Sequence, residues 1–241
     1  MKKDQTSLVD TAYEMIKSKI LSLDYMPGQV ISDFKLHNEL DMSRTPIKQA
    51  LMQLKSDGLI IERGGRGYEV RRITEEDVID LFDAREGIEC TALKIALKKG
   101  IPLKIMNDLL YLNQCVTAAN NEKDYEKVFD YDSELHVKLI GSSNNKRLIE
   151  YYNMILLQLR RMRLLTYFQK TLPGEAVKEH ALIFSAISNN EEEKALNILS
   201  AHILDTKNHY VEILRNSIKT DADFMVLKYL IGNNLRIESA N

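Results

Sequence analysis

Ser43-Arg44-Thr45-Pro46-Ile47-Lys48-Gln49-Ala50-Leu51 is the stretch on which the reading of this chain turns. Ile47, Ala50 and Leu51, joined by Leu54, recur at the spacing of one inward-facing helix side. Pro46 is tolerated in a first turn, where its missing N–H would have no intrahelical acceptor. Ser43 or Thr45 can cap the start, and Gly58 closes the helix after about Asp57. The polar residues Arg44, Thr45, Lys48 and Gln49 crowd the first turns. A helix that reads DNA presents its N-terminal residues to base edges and phosphates. Arg44 can bond bidentately to guanine, and Lys48 can neutralise a phosphate.

The flanking sequence supplies the frame such a helix needs. Residues 7–23 have helical periodicity through Val9, Ala12, Met15, Ile16, Ile20 and Leu23. Pro27 and Gly28 break it, and Ser32 can cap a short second helix ending at Leu40. Beyond Gly58, the β-prone runs Leu59–Arg63 and Tyr68–Arg72 flank the glycine-rich turn Gly64-Gly65-Arg66-Gly67, which predicts a hairpin. Three helices followed by a hairpin is the order of a winged helix-turn-helix. Arg66 at the tip could reach a minor groove, and Gly67 permits close backbone approach.

After Ile73 the texture changes. Thr74-Glu75-Glu76-Asp77 looks like a capped helix start. The spacing predicts helices over 75–98, 103–119, 124–141, 145–168, 174–189, 191–215 and 221–236, with no convincing strand. The expected class is mainly α: a DNA-binding winged helix-turn-helix over 1–72, then an all-helical bundle of six to seven helices over 73–241.

Charge and composition narrow the function. The chain has 241 residues and a formal net charge of -2, which argues against a non-specific polyanion binder. Yet residues 44–72 hold seven basic and three acidic side chains, a locally basic patch that fits a confined nucleic-acid contact. No apolar run approaches the roughly 18 residues of a membrane span. The N-terminus leads into an amphipathic segment rather than a signal-peptide core, so a cytoplasmic location is expected. Cys90 and Cys115 share no recognisable spacing and are expected to be buried free thiols.

Polar residues stand where apolar ones belong on three later helices. Val128, Asp132, Leu135, His136 and Leu139 share one face of the helix over 124–141. His180 falls with Val177, Ala181, Phe184 and Ile187, and His202 with Ala195, Leu199 and Ile203. Each could be a hydrogen-bonded core residue. Together they include an Asp-x3-His pair, whose i, i+4 spacing can place two ligands on one metal. His37 and His209 match no ligand position. Arg85 has the fork that suits a carboxylate, and a surface or interface salt bridge would serve it equally well. Arg160, Arg161 and Arg163 are a second source of positive charge.

The segment Ser43–Leu51, with Leu54-Lys55-Ser56-Asp57-Gly58-Leu59, resembles the GntR family of bacterial transcription regulators, and the helical remainder resembles its FCD effector domain. The resemblance spans roughly 7–215. Two positions depart from it. Phe34 stands where the family has arginine, and Lys48-Gln49 replaces its usual Arg-Glu, so base preference does not carry over. The resemblance implies that Asp132, His136, His180 and His202 coordinate a divalent metal. Imidazole and carboxylate ligands suit zinc, nickel or manganese. It also implies a small carboxylate or hydroxy-acid effector. A homodimer is expected, because two recognition helices reading a palindromic operator supply affinity that one cannot. A ligand-responsive repressor follows as the expectation. A metal-free regulator of an apolar ligand and a metal-dependent enzyme remain the alternatives.

Overall fold

The computed structural model describes residues 7–64, 67–166 and 174–217. The chain divides into two compact units, one reaching Thr74 and one spanning Glu75–Asn216.

In the first unit, α1 (Leu8–Leu21) opens on a capping box between Ser7 and Asp10. It buries Ala12, Ile16 and Ile20. A short strand β1 (Val30–Ile31) follows, then α2 (Asp33–Leu40), capped by Ser32. Asp41 at φ 51 turns the chain into α3 (Arg44–Ser56). Asp tolerates that left-handed conformation better than most residues. Ser43 sits at the N-cap of α3 without a side-chain cap hydrogen bond. Pro46, Ile47, Ala50, Leu51 and Leu54 form its buried side, and α3 packs on α1 and α2.

The hairpin is β2 (Ile60–Glu62) with β3 (Tyr68–Val70), antiparallel, Ile60 opposite Val70. The strands are shorter than the β-prone runs, and β1 adds an edge that periodicity did not show, giving the order β1-β3-β2. Two residues are too few to display a period of two, so β1 leaves no signature. Gly67 explains how β1 fits. Its φ is +92, and a Cβ there would lie 2.6 Å from the Ile31 carbonyl oxygen. Only glycine allows β1 to come this close.

The second unit is helical throughout its described residues: α4 (Glu75–Lys99), α5 (Leu103–Glu122), α6 (Tyr125–Gly141), α7 (Lys146–Thr166), α8 (Gly174–Ser188) and α9 (Glu192–Ser217). The expected helix over 221–236 lies outside the described residues. Helix α6 packs on α4, α5 and α7, and α5 also packs on α8. The face of α6 that carries Val128, Leu135 and Leu139 is therefore interior. On α8 the buried stripe runs His180, Ile183, Phe184, Ile187, and Ala181 is exposed rather than inward. The stripe follows i, i+3, i+4, i+7 from His180, which carries it away from Ala181. Cys90 and Cys115 are free and half-buried, not fully enclosed. No described helix is long and apolar enough to cross a membrane.

Candidate metal centre and nucleic-acid face

At the start of α3, Arg44, Thr45, Lys48 and Gln49 are all exposed, on the side opposite the buried stripe. Arg44 is docked rather than loose. Its Nε and Nη2 both donate to Asp33 Oδ2 on α2, at 2.9 and 2.6 Å, and Lys48 Nζ lies 3.6 Å from the same oxygen. The Arg44 hydrogen bonds hold the Asp33 carboxyl below its ordinary range. Asp33 was missed from sequence, although it begins the run in which Phe34 departs from the family. Phe34 itself is exposed. Gly67 stands at the base of the wing; Arg66 lies outside the described residues. His37 is exposed, its Nδ1 2.6 Å from the Met42 carbonyl.

In the helical unit, one turn of α6 separates Asp132 from His136, while α8 brings His180 and α9 brings His202. One ligand atom from each of these four lies within 4.8 Å of every other. The three histidines are at most 3% exposed. Nε2 of His180 and Nε2 of His202 are 3.3 Å apart. Asp132 Oδ1 stands 3.6 Å from His180 Nε2 and 3.8 Å from His136 Nε2. Those two separations exceed hydrogen-bond length.

Two carboxylates turn the imidazoles inward. His136 donates from Nδ1 to Glu89 Oε2 at 2.6 Å, and His202 donates from Nδ1 to Glu179 Oε2 at 2.7 Å. With Nδ1 committed, each ring offers Nε2 to the cluster. Neither acid was found from sequence. Glu89 carries the one available signal, a helical i, i+4 partnership with Arg85. Glu179 carries none.

The cluster is poorly explained as an ordinary polar core. His136 Nε2 is buried with no hydrogen-bond partner among the described residues, as is His180 Nδ1. The His136 and His202 rings stack with centroids 5.3 Å apart, and those of His180 and His202 are 4.6 Å apart. An orphaned nitrogen inside a packed protein is costly. A divalent ion facing Asp132 Oδ1 and the Nε2 atoms would satisfy His136 Nε2, so the residues fit the metal. Their protonation favours it too. Burial, reinforced by His202, His136 and Arg85, pushes the His180 pKa well down and leaves a neutral imidazole. Burial opposes ionisation of Asp132, but its positive surroundings, the permanently charged Arg85 among them, outweigh it and hold this carboxyl below its usual range.

Arg85 is buried, so it is not a surface ion pair. Its Nε donates to Glu89 Oε1 at 2.6 Å. It also lines a cavity with Asp132, His136 and His202, between apolar walls that include Phe82, Val128, Phe129 and Leu156. The cavity leaves about 60 Å³ for the centres of water-sized molecules. Arg161 is buried and Arg160 exposed. The side chain of Arg163 lies outside the described residues.

Comparison with known proteins agrees with both units. Residues 8–70 match the family described as bacterial regulatory proteins, gntR family, and residues 80–205 match the FCD domain. The chain is 24% identical over 200 residues to the Nta operon transcriptional regulator of Aminobacter aminovorans, covering 82% of this chain and 92% of that one. It is 23% identical over 210 residues to the HTH-type transcriptional regulator YdhC of Bacillus subtilis (strain 168), covering 86% and 91%. The solved structure of E. coli McbR/YncC superposes with a TM-score of 0.70 at 17% identity, covering 86% of this chain and 98% of that one. At that identity the likeness carries the fold alone.

Proposed function

Because the chain belongs to the gntR family of bacterial regulatory proteins and carries its FCD domain, we propose that it is a repressor that senses a small organic acid at a divalent-metal site. It is a DNA-binding transcription regulator, as its family and relatives are, and not an enzyme. The observation that carries the sensing reading is the convergence of a half-buried Asp132 with the buried His136, His180 and His202 beside a cavity that also contains Arg85.

Asp132 Oδ1 and the Nε2 atoms of the three histidines would hold the ion. Bound there, a zinc, nickel or manganese ion would supply a positive charge that draws a carboxylate. Arg85 adds a second, permanent charge. Attraction to Glu89 outweighs the burial that opposes it, so the guanidinium stays protonated. Apolar walls around these charges suit the body of a short-chain acid.

On the DNA side, Arg44, Thr45, Lys48 and Gln49 are the base- and phosphate-facing set, and Gly67 of the wing and its sequence neighbour Arg66 complete it. A homodimer places two such helices on the half-sites of a palindromic operator. The acid acts through different affinities for the DNA-competent and DNA-incompetent arrangements.

The test is the metal content of the full chain purified without tag or chelator, beside the His180→Ala/His202→Ala double variant. About one divalent ion per chain, absent from the folded variant, is expected of a four-ligand site. No metal in either protein, even after reconstitution, would make the histidines core residues. The apolar cavity would then favour a metal-free regulator of an apolar ligand.

A further inference from the structure

Arg44 and Asp33 meet across the turn that joins α2 to α3. Both hydrogen bonds leave one edge of the guanidinium, Nε and Nη2, and both end on Asp33 Oδ2, at 2.9 and 2.6 Å. A guanidinium has a second, end-on edge, formed by Nη1 and the other Nη2 proton. That edge carries no hydrogen bond among the described residues. The Arg44 side chain is 53% exposed and that of Asp33 only 19%, so the carboxylate sits further in than the group it holds. Lys48, one turn along α3 from Arg44, is exposed and brings its Nζ to 3.6 Å from the same oxygen. One carboxylate thus faces two cations, and the Arg44 hydrogen bonds keep it ionised.

A negative charge on a face that meets phosphates weakens binding to every DNA sequence. What this one supplies is orientation. A loose arginine can neutralise whichever phosphate lies near, whereas a guanidinium held in one plane matches the O6 and N7 acceptors of guanine. We propose that Asp33 is a positioning residue for DNA reading: it holds the Nε edge of Arg44 so that the end-on edge meets a guanine, lowering affinity for DNA in general and raising discrimination at one base pair. The inference rests on the DNA face proposed above and adds the residue that sets its selectivity. Asparagine at this position keeps the shape of Asp33 and removes its charge. Arg44 is then free to turn to a phosphate.

The experiment uses DNA selected by the full chain from a random pool, beside a scrambled duplex of the same composition. G·C pairs of the selected DNA are replaced by A·T one at a time. One replacement should weaken binding by the native chain roughly five- to 150-fold and make no difference to Arg44→Ala. Asp33→Asn should lose most of that discrimination. On the scrambled duplex, its plot of log affinity against log salt should steepen by about 0.9, the mark of one more phosphate neutralised. Asp33→Glu, which restores a carboxylate, should recover the discrimination. Full discrimination in Asp33→Asn would overturn the proposal and leave the DNA face standing; with tighter binding as well, it would make the ion pair an inhibitory latch. An equal loss on the selected and scrambled duplexes would also overturn it and reduce Asp33 to holding α2 against α3. If no replacement separates the native chain from Arg44→Ala, the reading role of Arg44 falls and this inference falls with it.

Discussion

Two glutamates that touch no cavity ligand atom set the geometry of the cluster. Glu179 is 24% exposed on its side chain and orients His202 through Nδ1. Removing its charge should cost little in folding but loosen the ring. Glu179→Gln is expected to weaken metal binding about ten- to a hundredfold, the usual effect of losing such a partner. Competition against a chromogenic chelator measures it, and unchanged affinity would mean the ring is held by packing alone. Glu89 differs because it is wholly buried between Arg85 and His136. Burial raises its pKa, but His136 and Arg85 more than offset this, so the carboxylate stays ionised. Glu89→Leu should destabilise the helical unit by about 3–5 kcal/mol, since Arg85 would be left charged and unpaired. Arg85→Leu/Glu89→Leu should recover most of that loss in urea unfolding. The pH dependence has one sign for both groups. The folded pKa of Glu89 lies below its unfolded value of about 4.3, so its stabilisation is present above that pH and is lost as the medium acidifies. The folded pKa of His180 also lies below its unfolded value, about 6.5, because the buried ring resists protonation. Metal-free protein should therefore lose urea resistance first below about pH 6.5 and again below about pH 4.3. A flat profile between pH 7 and 5 would contradict the buried neutral His180.

At the scale of elements, Gly67 holds the wing together. Its φ of +92 and the carbonyl of Ile31 at 2.6 Å from any added Cβ penalise substitution twice over. Gly67→Ala should cost the winged unit about 1–3 kcal/mol. Gly64→Ala should cost less, because its φ is only +39 and nothing lies within 4 Å of the added atom. Hydrogen exchange at the Val70 amide, which donates to Gln29 at 2.9 Å, reads the difference. Equal protection in the two variants would show that β1 can yield without cost. The same contrast explains what was legible in the sequence. Helices α4 to α9 repeat a 3.6-residue pattern over 15 residues or more each, so their existence and inward faces could be read to within a few residues. Asp132, His136, His180 and His202 stood out because each breaks such a face with a polar side chain. Strand β1 is too short to have a period, and its pairing with β3 depends on the close approach that Gly67 permits. Glu89, Glu179 and Asp33 could not be assigned because their roles depend on which residue of another element they meet.

For the whole molecule, the two units should fail separately before they are shown to communicate. On the DNA face proposed above, Arg44→Ala should cost about 1–3 kcal/mol of specific DNA binding, leaving metal stoichiometry untouched. His202→Ala should lose the metal and leave intact the buried side of α3 that supports the DNA face. Loss of both properties in either variant would indicate misfolding, so this pair of controls precedes any claim of coupling. Coupling itself has a thermodynamic signature. If metal changes the affinity for DNA by some factor, DNA must change the affinity for metal by the same factor. Regulatory couplings fall at about 5- to 150-fold. DNA selected by the full chain from a random pool supplies the ligand, and its affinity can be measured with metal and with chelator. Metal affinity is then measured with and without that DNA. Matching factors within that range would establish that one equilibrium links the histidine cluster to the reading helix. A factor of one in both directions would make the metal a structural part of the bundle, and sensing would then rest on the acid alone.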